Sequence, residues 1–152
     1  MIDIARIMSL DIGDSRIGVA LSDPLGILAT PFIIIDRIHD ESAIRKIVDI
    51  IISKEVSKVI AGLPLNMDST RGEQAEKTDF FVMKLKSRTS IPVEYQDERL
   101  STVSARELIK KVRKTNRATR YDAAAAALIL QSYLDETAQR ADRPEEMDLP
   151  AD

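Results

Sequence analysis

Apolar residues in this chain fall into two patterns: short continuous runs, and longer stretches in which they recur every three or four positions. Ile7-Met8-Ser9-Leu10 reads as a strand ending at Asp11, Gly13-Asp14-Ser15 is turn chemistry, and Ile17 to Leu21 reads as a second strand, so the opening is an antiparallel hairpin. A third strand is expected at Pro31 to Ile35. Asp40 then caps a helix whose stripe is Ile44, Ile47, Val48, Ile51 and Ile52. That helix is rich in β-branched residues, which are middling helix formers, so burial of the stripe must supply most of its stability. Val59-Ile60-Ala61-Gly62 is a continuously apolar run of the kind that forms a strand buried on both faces. A helix follows near Gln74 to Arg88, with Thr78, Phe81, Val82 and Leu85 on one side, and Ile91 to Gln96 reads as a fifth strand. A third helix runs through Val103, Leu108, Ile109 and Val112, and a fourth covers the alanine-rich run from Asp122 to Leu134.

The order β-β-β-α-β-α-β-α-α combines an antiparallel meander with βα crossovers. It predicts an α/β fold, a five-stranded mixed sheet with helices on both faces, in a single domain over residues 1–138. From about Gln139 onward apolar periodicity is lost, and residues 139–152 are expected to form an acidic, disordered tail. In sheets of this kind, chemistry collects at the carboxyl ends of the parallel strands.

Composition removes several classes of chemistry. There is no cysteine and a single histidine, His39, which excludes disulfides and thiolate catalysis and leaves no set of zinc ligands. No apolar run reaches the roughly 18–20 residues that cross a bilayer, and the start of the chain lacks the pattern of a signal peptide, so a cytoplasmic protein without a membrane partner is expected. The net charge of -3 argues against an indiscriminate polyanion binder, but its distribution is uneven. Arg106, Lys110, Lys111, Arg113, Lys114, Arg117 and Arg120 face only Glu107 in their segment, while the chain beyond Asp135 is acidic. Such a block is either a surface for a local anionic partner or a solvated helix end. Lys114 to Thr119 has no apolar periodicity, and the segment Lys110 to Arg120 is expected to be a mobile substrate-contact loop.

Acids stand at the element ends where chemistry would collect: Asp11 closes the first strand, Asp97 and Glu98 close the fifth, and Asp122 opens the last helix. Brought together, they would repel one another unless a cation were present. Mg2+ takes oxygen ligands, commonly one or two protein carboxylates with substrate phosphate oxygens. Each acid also has an ordinary reading, Asp122 as a helix-start acid interacting with the helix dipole. Gly13, directly after Asp11-Ile12, lets the backbone turn tightly, as it would in any hairpin or beside a phosphate. The loop leaving Gly62 offers Asn66 and Arg71 as phosphate contacts.

Four segments, in order, resemble the bacterial YqgF family, the RuvX-like proteins associated with Holliday-junction resolution and pre-16S rRNA cleavage. They are Leu10-Asp11-Ile12-Gly13 with Arg16 to Pro24; Gly62 to Asp68 with Gly72-Glu73-Gln74-Ala75; Asp97 to Thr102; and Asp122 to Gln131. The resemblance covers the chain from about Arg6 to Leu134. It implies a ribonuclease-H-like fold and a metal-binding catalytic triad that carries onto Asp11, Glu98 and Asp122, with Mg2+ or Mn2+ as cofactor. Within Asp97-Glu98 alternation allows only one acid into the site, and Glu98 is favoured. Two positions depart from the family pattern: Ser15, where lysine is frequent, and Ser69, where a loop glycine is usual.

The function so implied is a metal-dependent nuclease acting on structured nucleic acid, in maturation of the 5′ end of precursor 16S rRNA or, alternatively, in resolving branched DNA. Arg16 and Arg99, beside the acid-bearing motifs, are expected either to hold substrate phosphate or to orient a neighbouring acid. With Asn66, Arg71, Lys114, Arg117 and Arg120 they complete the candidate substrate-binding set. A junction resolvase would be a two-fold homodimer, whereas an RNA-trimming enzyme can act as a monomer. A non-catalytic nucleic-acid-binding module is the alternative from another class. An actin- or hexokinase-type phosphotransferase shares the Asp-x-Gly turn, but it needs a second domain and phosphate loop for which 152 residues leave no room.

Overall fold

The computed structural model describes residues 5–98 and 118–141, with side chains over 123–138 in the second stretch. Its elements are β1 (Arg6–Ile12), β2 (Arg16–Ser22), β3 (Ala29–Asp36), α1 (Asp40–Ser53), β4 (Val56–Leu63), α2 (Glu73–Lys86), β5 (Val93–Asp97) and α3 (Ala118–Ala141). The expected helix through Val103 to Val112 lies outside the described residues. The strands form one five-stranded sheet in the order β3-β2-β1-β4-β5. β1, β2 and β3 make the antiparallel meander, and β4 and β5 join β1 in parallel.

Two cores cover the two faces. On one side Ile44, Ile47 and Ile51 of α1 and Phe81, Val82 and Leu85 of α2 pack on Met8, Leu10, Ile17, Val19 and Val59. Each fully buried side chain of this size contributes about 1.5–3 kcal/mol relative to exposure. The stripe foreseen for α1 is the buried one, except that Ile52 points to solvent. On the other side Ala126, Ala127, Ile129, Leu130 and Leu134 of α3 pack on Ala20 and Ile60. The alanines favour helix and also let α3 approach the sheet closely. The Ser9 hydroxyl, fully buried on β1, is satisfied by donating to the Ala126 carbonyl at 2.6 Å. Gln131 anchors the same helix to the β2–β3 connection, accepting from the Ala29 amide at 2.9 Å and donating to the Ile27 carbonyl at 3.0 Å. β3 is an edge strand, and its Pro31 falls at a register shift against β2, where a missing amide is tolerated.

Several boundaries differ from expectation. Asp40 is the first residue of α1 and does not cap it; the cap position is His39. The Asp40 carboxylate instead accepts from Arg37 Nε at 2.9 Å and Lys84 Nζ at 3.0 Å, since two cations outcompete backbone amides for it. α3 begins at Ala118, four residues before Asp122, so the segment expected to be a loop through Arg120 is helical over its last three residues. The same helix continues to Ala141, past the expected domain end at 138. Ala, Gln and Arg are good helix formers and extend a packed helix without apolar periodicity. The remainder of the expected tail lies outside the described residues.

The Asp40 pairing has a pH signature. Hydrogen bonds from Arg37 and, more weakly, Lys84 hold its carboxyl below the ordinary aspartate value, partly offset by burial. Stability from this pairing is therefore present above the unfolded aspartate value and is lost as pH falls through the folded one. Urea denaturation between pH 2 and 5 should show a shallower acid limb for Asp40→Asn, with a loss of about 1 kcal/mol or less at neutral pH. An unchanged acid limb would remove Asp40 from the acid stability of the fold.

Candidate active site

β1, β4 and β5 run in parallel and end together. Leu10, Ala61 and Tyr95 form one rung, followed by the pair Gly62 and Gln96, then Leu63 and Asp97. Asp11 lies one residue beyond that first rung, and Glu98 immediately follows β5. Ser9 and Asp11 share a strand face, and Ser9 bonds to α3, so Asp11 faces the α3 side. Gly18 is paired directly opposite Asp11 on β2, and Arg16, two residues away, shares that face.

Glu98 reaches the same place. A methyl group on Gly62 would lie 2.7 Å from Glu98 Oε1 and 2.6 Å from Ile129 Cδ1, so the carboxyl rests on a bare strand backbone, hemmed by α3. Burial pushes the Glu98 carboxyl above its ordinary value, and the negative charge of Asp97 pushes the same way. A hydrogen bond with Asp11 acts against both. Asp97 itself shares a β5 face with Tyr95, which packs on the core of α1 and α2. Of the two adjacent acids, Glu98 is the one in contact with Asp11.

The backbone of α3 brings position 122 to the same level. The helix runs antiparallel to β1: Tyr133 contacts Lys58, which pairs with Ile7, and Ala126 contacts Ser9. Stepping from Ala126 to Asp122 covers about 6 Å of helix, and stepping from Ser9 to Asp11 covers about 7 Å of strand. Asp122 thus stands in the second turn of α3, beyond the first turn where the helix dipole favours an acid. Its side chain lies outside the described residues. Among the described residues no three His, Cys, Asp or Glu side chains are arranged to hold a metal ion.

The other candidates divide. Asn66 is folded into its own loop: its amide nitrogen donates to Thr70 Oγ1 at 3.0 Å, and its Oδ1 lies close to Gly72. Arg71 pairs with Asp79 of α2, and its guanidinium carbon lies 6.0 Å from the centre of the Tyr95 ring. Asp79 also accepts from the Tyr95 hydroxyl. Arg71 therefore sits at the same rim as the acids but on the opposite sheet face. Arg99, Lys114 and Arg117 lie outside the described residues, as does the side chain of Arg120.

Arg37, which sequence patterning did not single out, is central to the site's frame. Its Nη1 donates to the Gly13 carbonyl at 2.8 Å, its amide donates to the Ser15 carbonyl at 2.8 Å, and its guanidinium lies 4.9 Å from the Phe81 ring centre. The turn after Asp11 is thereby fixed to both α1 and α2. An arginine just before a helix carries no sequence signal for this, because its partners are carbonyls brought close only by the fold.

The mixed sheet covered on both faces is a ribonuclease-H-like fold. It is shared with Thermus thermophilus RuvC in complex with a Holliday junction substrate (TM-score 0.58, 13% identity, covering 88% of this chain and 96% of that one). It is likewise shared with the fowlpox virus Holliday junction resolvase (TM-score 0.53, 14% identity, 86% and 99%). At those identities the likeness is one of fold. Closer relatives, each named "Putative pre-16S rRNA nuclease", include one from Desulforamulus reducens, 43% identical over 88% of this chain and 99% of its own length. Another, from Clostridioides difficile, is 46% identical over 86% and 94%. The RuvX family model, described as Holliday junction resolvase, matches residues 5–136, and the chain belongs to that family. No helix among the described residues is long and apolar enough to cross a membrane.

Two outcomes follow from the Gly62–Glu98 contact. Gly62→Ala should cost about 1–3 kcal/mol in denaturant melts, because the added carbon must displace Glu98 or Ile129. In metal-free buffer the raised Glu98 value means the folded protein holds a proton that the unfolded chain releases. Stability should then fall as pH rises from the ordinary glutamate value through the folded one. Glu98→Gln should abolish that slope, and a wild-type stability flat across the window would show that the burial of Glu98 is without consequence.

Proposed function

We propose that the chain is a cytoplasmic, metal-dependent nuclease that hydrolyses phosphodiesters of structured nucleic acid and trims the 5′ end of precursor 16S rRNA. The observation that carries this reading is the contact of Asp11 with Glu98 on Gly62, at the carboxyl end of the parallel strands. Two carboxylates sharing one hydrogen bond, one of them with raised proton affinity, form a donor set suited to a hard divalent cation. Asp11, Glu98 and Asp122 would hold Mg2+ or Mn2+, the last from the second turn of α3. A cation so bound supplies Lewis acidity toward phosphoryl oxygens and activation of the attacking water.

The protein's own part is orientation and exclusion. The Gly13 turn fixes Asp11, Gly62 seats Glu98, and the apolar contact of Ile129 limits water on one side of the pair. Arg16 shares the sheet face of Asp11 and would meet a phosphate there. Asn66, Arg71, Arg99, Lys114, Arg117 and Arg120 complete the proposed substrate surface. The ribosomal substrate rests on relatives 40–46% identical that carry that name. The family's own description as a Holliday junction resolvase favours a second reading, cleavage of branched DNA by a two-fold dimer.

One assay separates the readings: cleavage in Mg2+ and in Mn2+ of a precursor-rRNA leader, single-stranded RNA, duplex DNA and a four-way DNA junction. Preferential cleavage of the leader is the expected result, and preferential cleavage of the junction would transfer the assignment to the second reading. Asp11→Asn should lower the rate at least about a hundredfold, the scale on which one positioned charged group acts. Its circular dichroism should match wild type. Cleavage of no substrate by wild type in either metal would leave a binding module.

A further inference from the structure

The cations that the described residues place around the turn after Asp11 are mostly engaged already. Arg37 is committed to the Gly13 carbonyl, Asp40 and the Phe81 ring. Lys84 is held by Asp40 at 3.0 Å and lies 4.9 Å from the Phe80 ring centre. Arg71 is taken up by Asp79 and Tyr95. Lys77, on the first half of α2, differs from all three. Its ammonium stands 3.8 Å from Asp14 Oδ1 and 3.8 Å from Glu73 Oε1, beyond direct hydrogen-bond length. Its side chain is 49% exposed, and its two acidic neighbours are more exposed still, at 67% and 86%. Pairs of that kind contribute close to nothing to folding.

The frame beneath Lys77 is rigid. The Gly13 amide donates to the Arg16 carbonyl at 2.9 Å, closing the turn, and Arg37 ties both Gly13 and Ser15 to the helices. Lys77, carried by α2, thus holds a solvated positive charge against this braced turn, 3.8 Å from Asp14, the residue three positions after Asp11. Asp11 and Glu98 meet on the α3 face and Lys77 stands on α2 across the sheet, so a strand with one phosphate at the acids would reach Lys77 by crossing the β1–β2 turn, where Asp14 already meets it. We propose that Lys77 is a substrate-binding residue that takes a backbone phosphate flanking the scissile one, at the β1–β2 turn. This rests on the nuclease reading given above. Asp14 and Glu73 are its resting partners, exchanged for phosphate when substrate arrives; a lysine suits that exchange because its ammonium is a mobile point charge.

The test is the salt dependence of binding, in Ca2+, of a fluorescein-labelled RNA hairpin with a 5′ single-stranded extension and of a four-way DNA junction. Lys77→Ala should reduce the slope of log affinity against log salt by about 0.7–0.9 for a single phosphate contact. Lys77→Arg should keep it. Ser15→Lys in the Lys77→Ala background returns a cation to the same turn and should restore the slope. In cleavage KM should rise severalfold with kcat unchanged, because a flanking phosphate is held equally in ground and transition states. Thermal melting of all three variants should match wild type. If wild type binds and Lys77→Ala keeps the full slope on both probes, this proposal alone is overturned. If wild type binds neither probe, the nuclease reading falls and this proposal falls with it. A slope change on the hairpin only, or on the junction only, supports the contact and identifies which backbone it serves.

Discussion

The candidate site depends on two carboxyl groups being held in contact at the carboxyl end of the parallel strands. Asp11 and Glu98 come from strands separated by β4, and ionised together they would repel each other. Three local features enforce the contact. Gly62 has no side chain at the position where one would collide with Glu98, Ile129 packs over that same position, and the turn after Asp11 is closed by the Gly13 amide on the Arg16 carbonyl. A chain could avoid the repulsion by relaxing any one of these. With none of them relaxed the two carboxyls stay in contact, and burial above all holds Glu98 over its ordinary value.

Rigidity on the Asp11 side comes chiefly from Arg37. Its guanidinium is largely buried, and it joins the carbonyl of Gly13 to Asp40 at the start of α1 and to Phe81 in α2. A buried guanidinium is tolerable only when its donors are satisfied, and here a carbonyl, a carboxylate and a ring face divide the task. The Gly13 turn is therefore braced against the helical layer opposite the acids. The two faces of the sheet have distinct roles: α3 encloses the acids, while α1 and α2 hold the backbone that presents one of them.

Much of this was legible in the residues. The alternation of short apolar runs with amphipathic stretches yields the element order. The acids at strand ends are visible as such because Asp11 directly follows the apolar run Ile7 to Leu10, and Asp97 and Glu98 close the alternating stretch from Ile91 to Gln96. What patterning could not supply is contact between elements remote in sequence. Nothing near Gly62 in the chain says that Glu98 will lie on it, and Arg37 bonds to carbonyls, which every residue carries. The start of α3 was misplaced for a related reason. Ala118 to Arg120 shows no stripe, but the first turn of a helix need not have one when its later turns are packed. Asp40 has the type and position of a cap, but its carboxylate is taken by Arg37, three residues before it, and by Lys84, forty-four residues away.

The choice between Asp97 and Glu98 shows how far alternation reaches. It says that adjacent acids face opposite sides, and the sheet then decides which side matters. Tyr95 and Asp97 share the face of α1 and α2, where Tyr95 is engaged with Asp79 and, through it, Arg71. Glu98 turns to α3 and meets Asp11. The loop from Leu65 to Arg71 starts on this same rim and is closed by its own bonds: Asn66 to Thr70, Thr70 to Asp68, and a bridge between Leu65 and Arg71. Ser69 there takes a φ of 72°, a left-handed conformation that costs a non-glycine residue about 1–2 kcal/mol. The loop keeps that conformation because its own bonds close it. On the α1 and α2 face the rim is thus a loop that holds its own shape, while Asp11 and Glu98 meet on the α3 face.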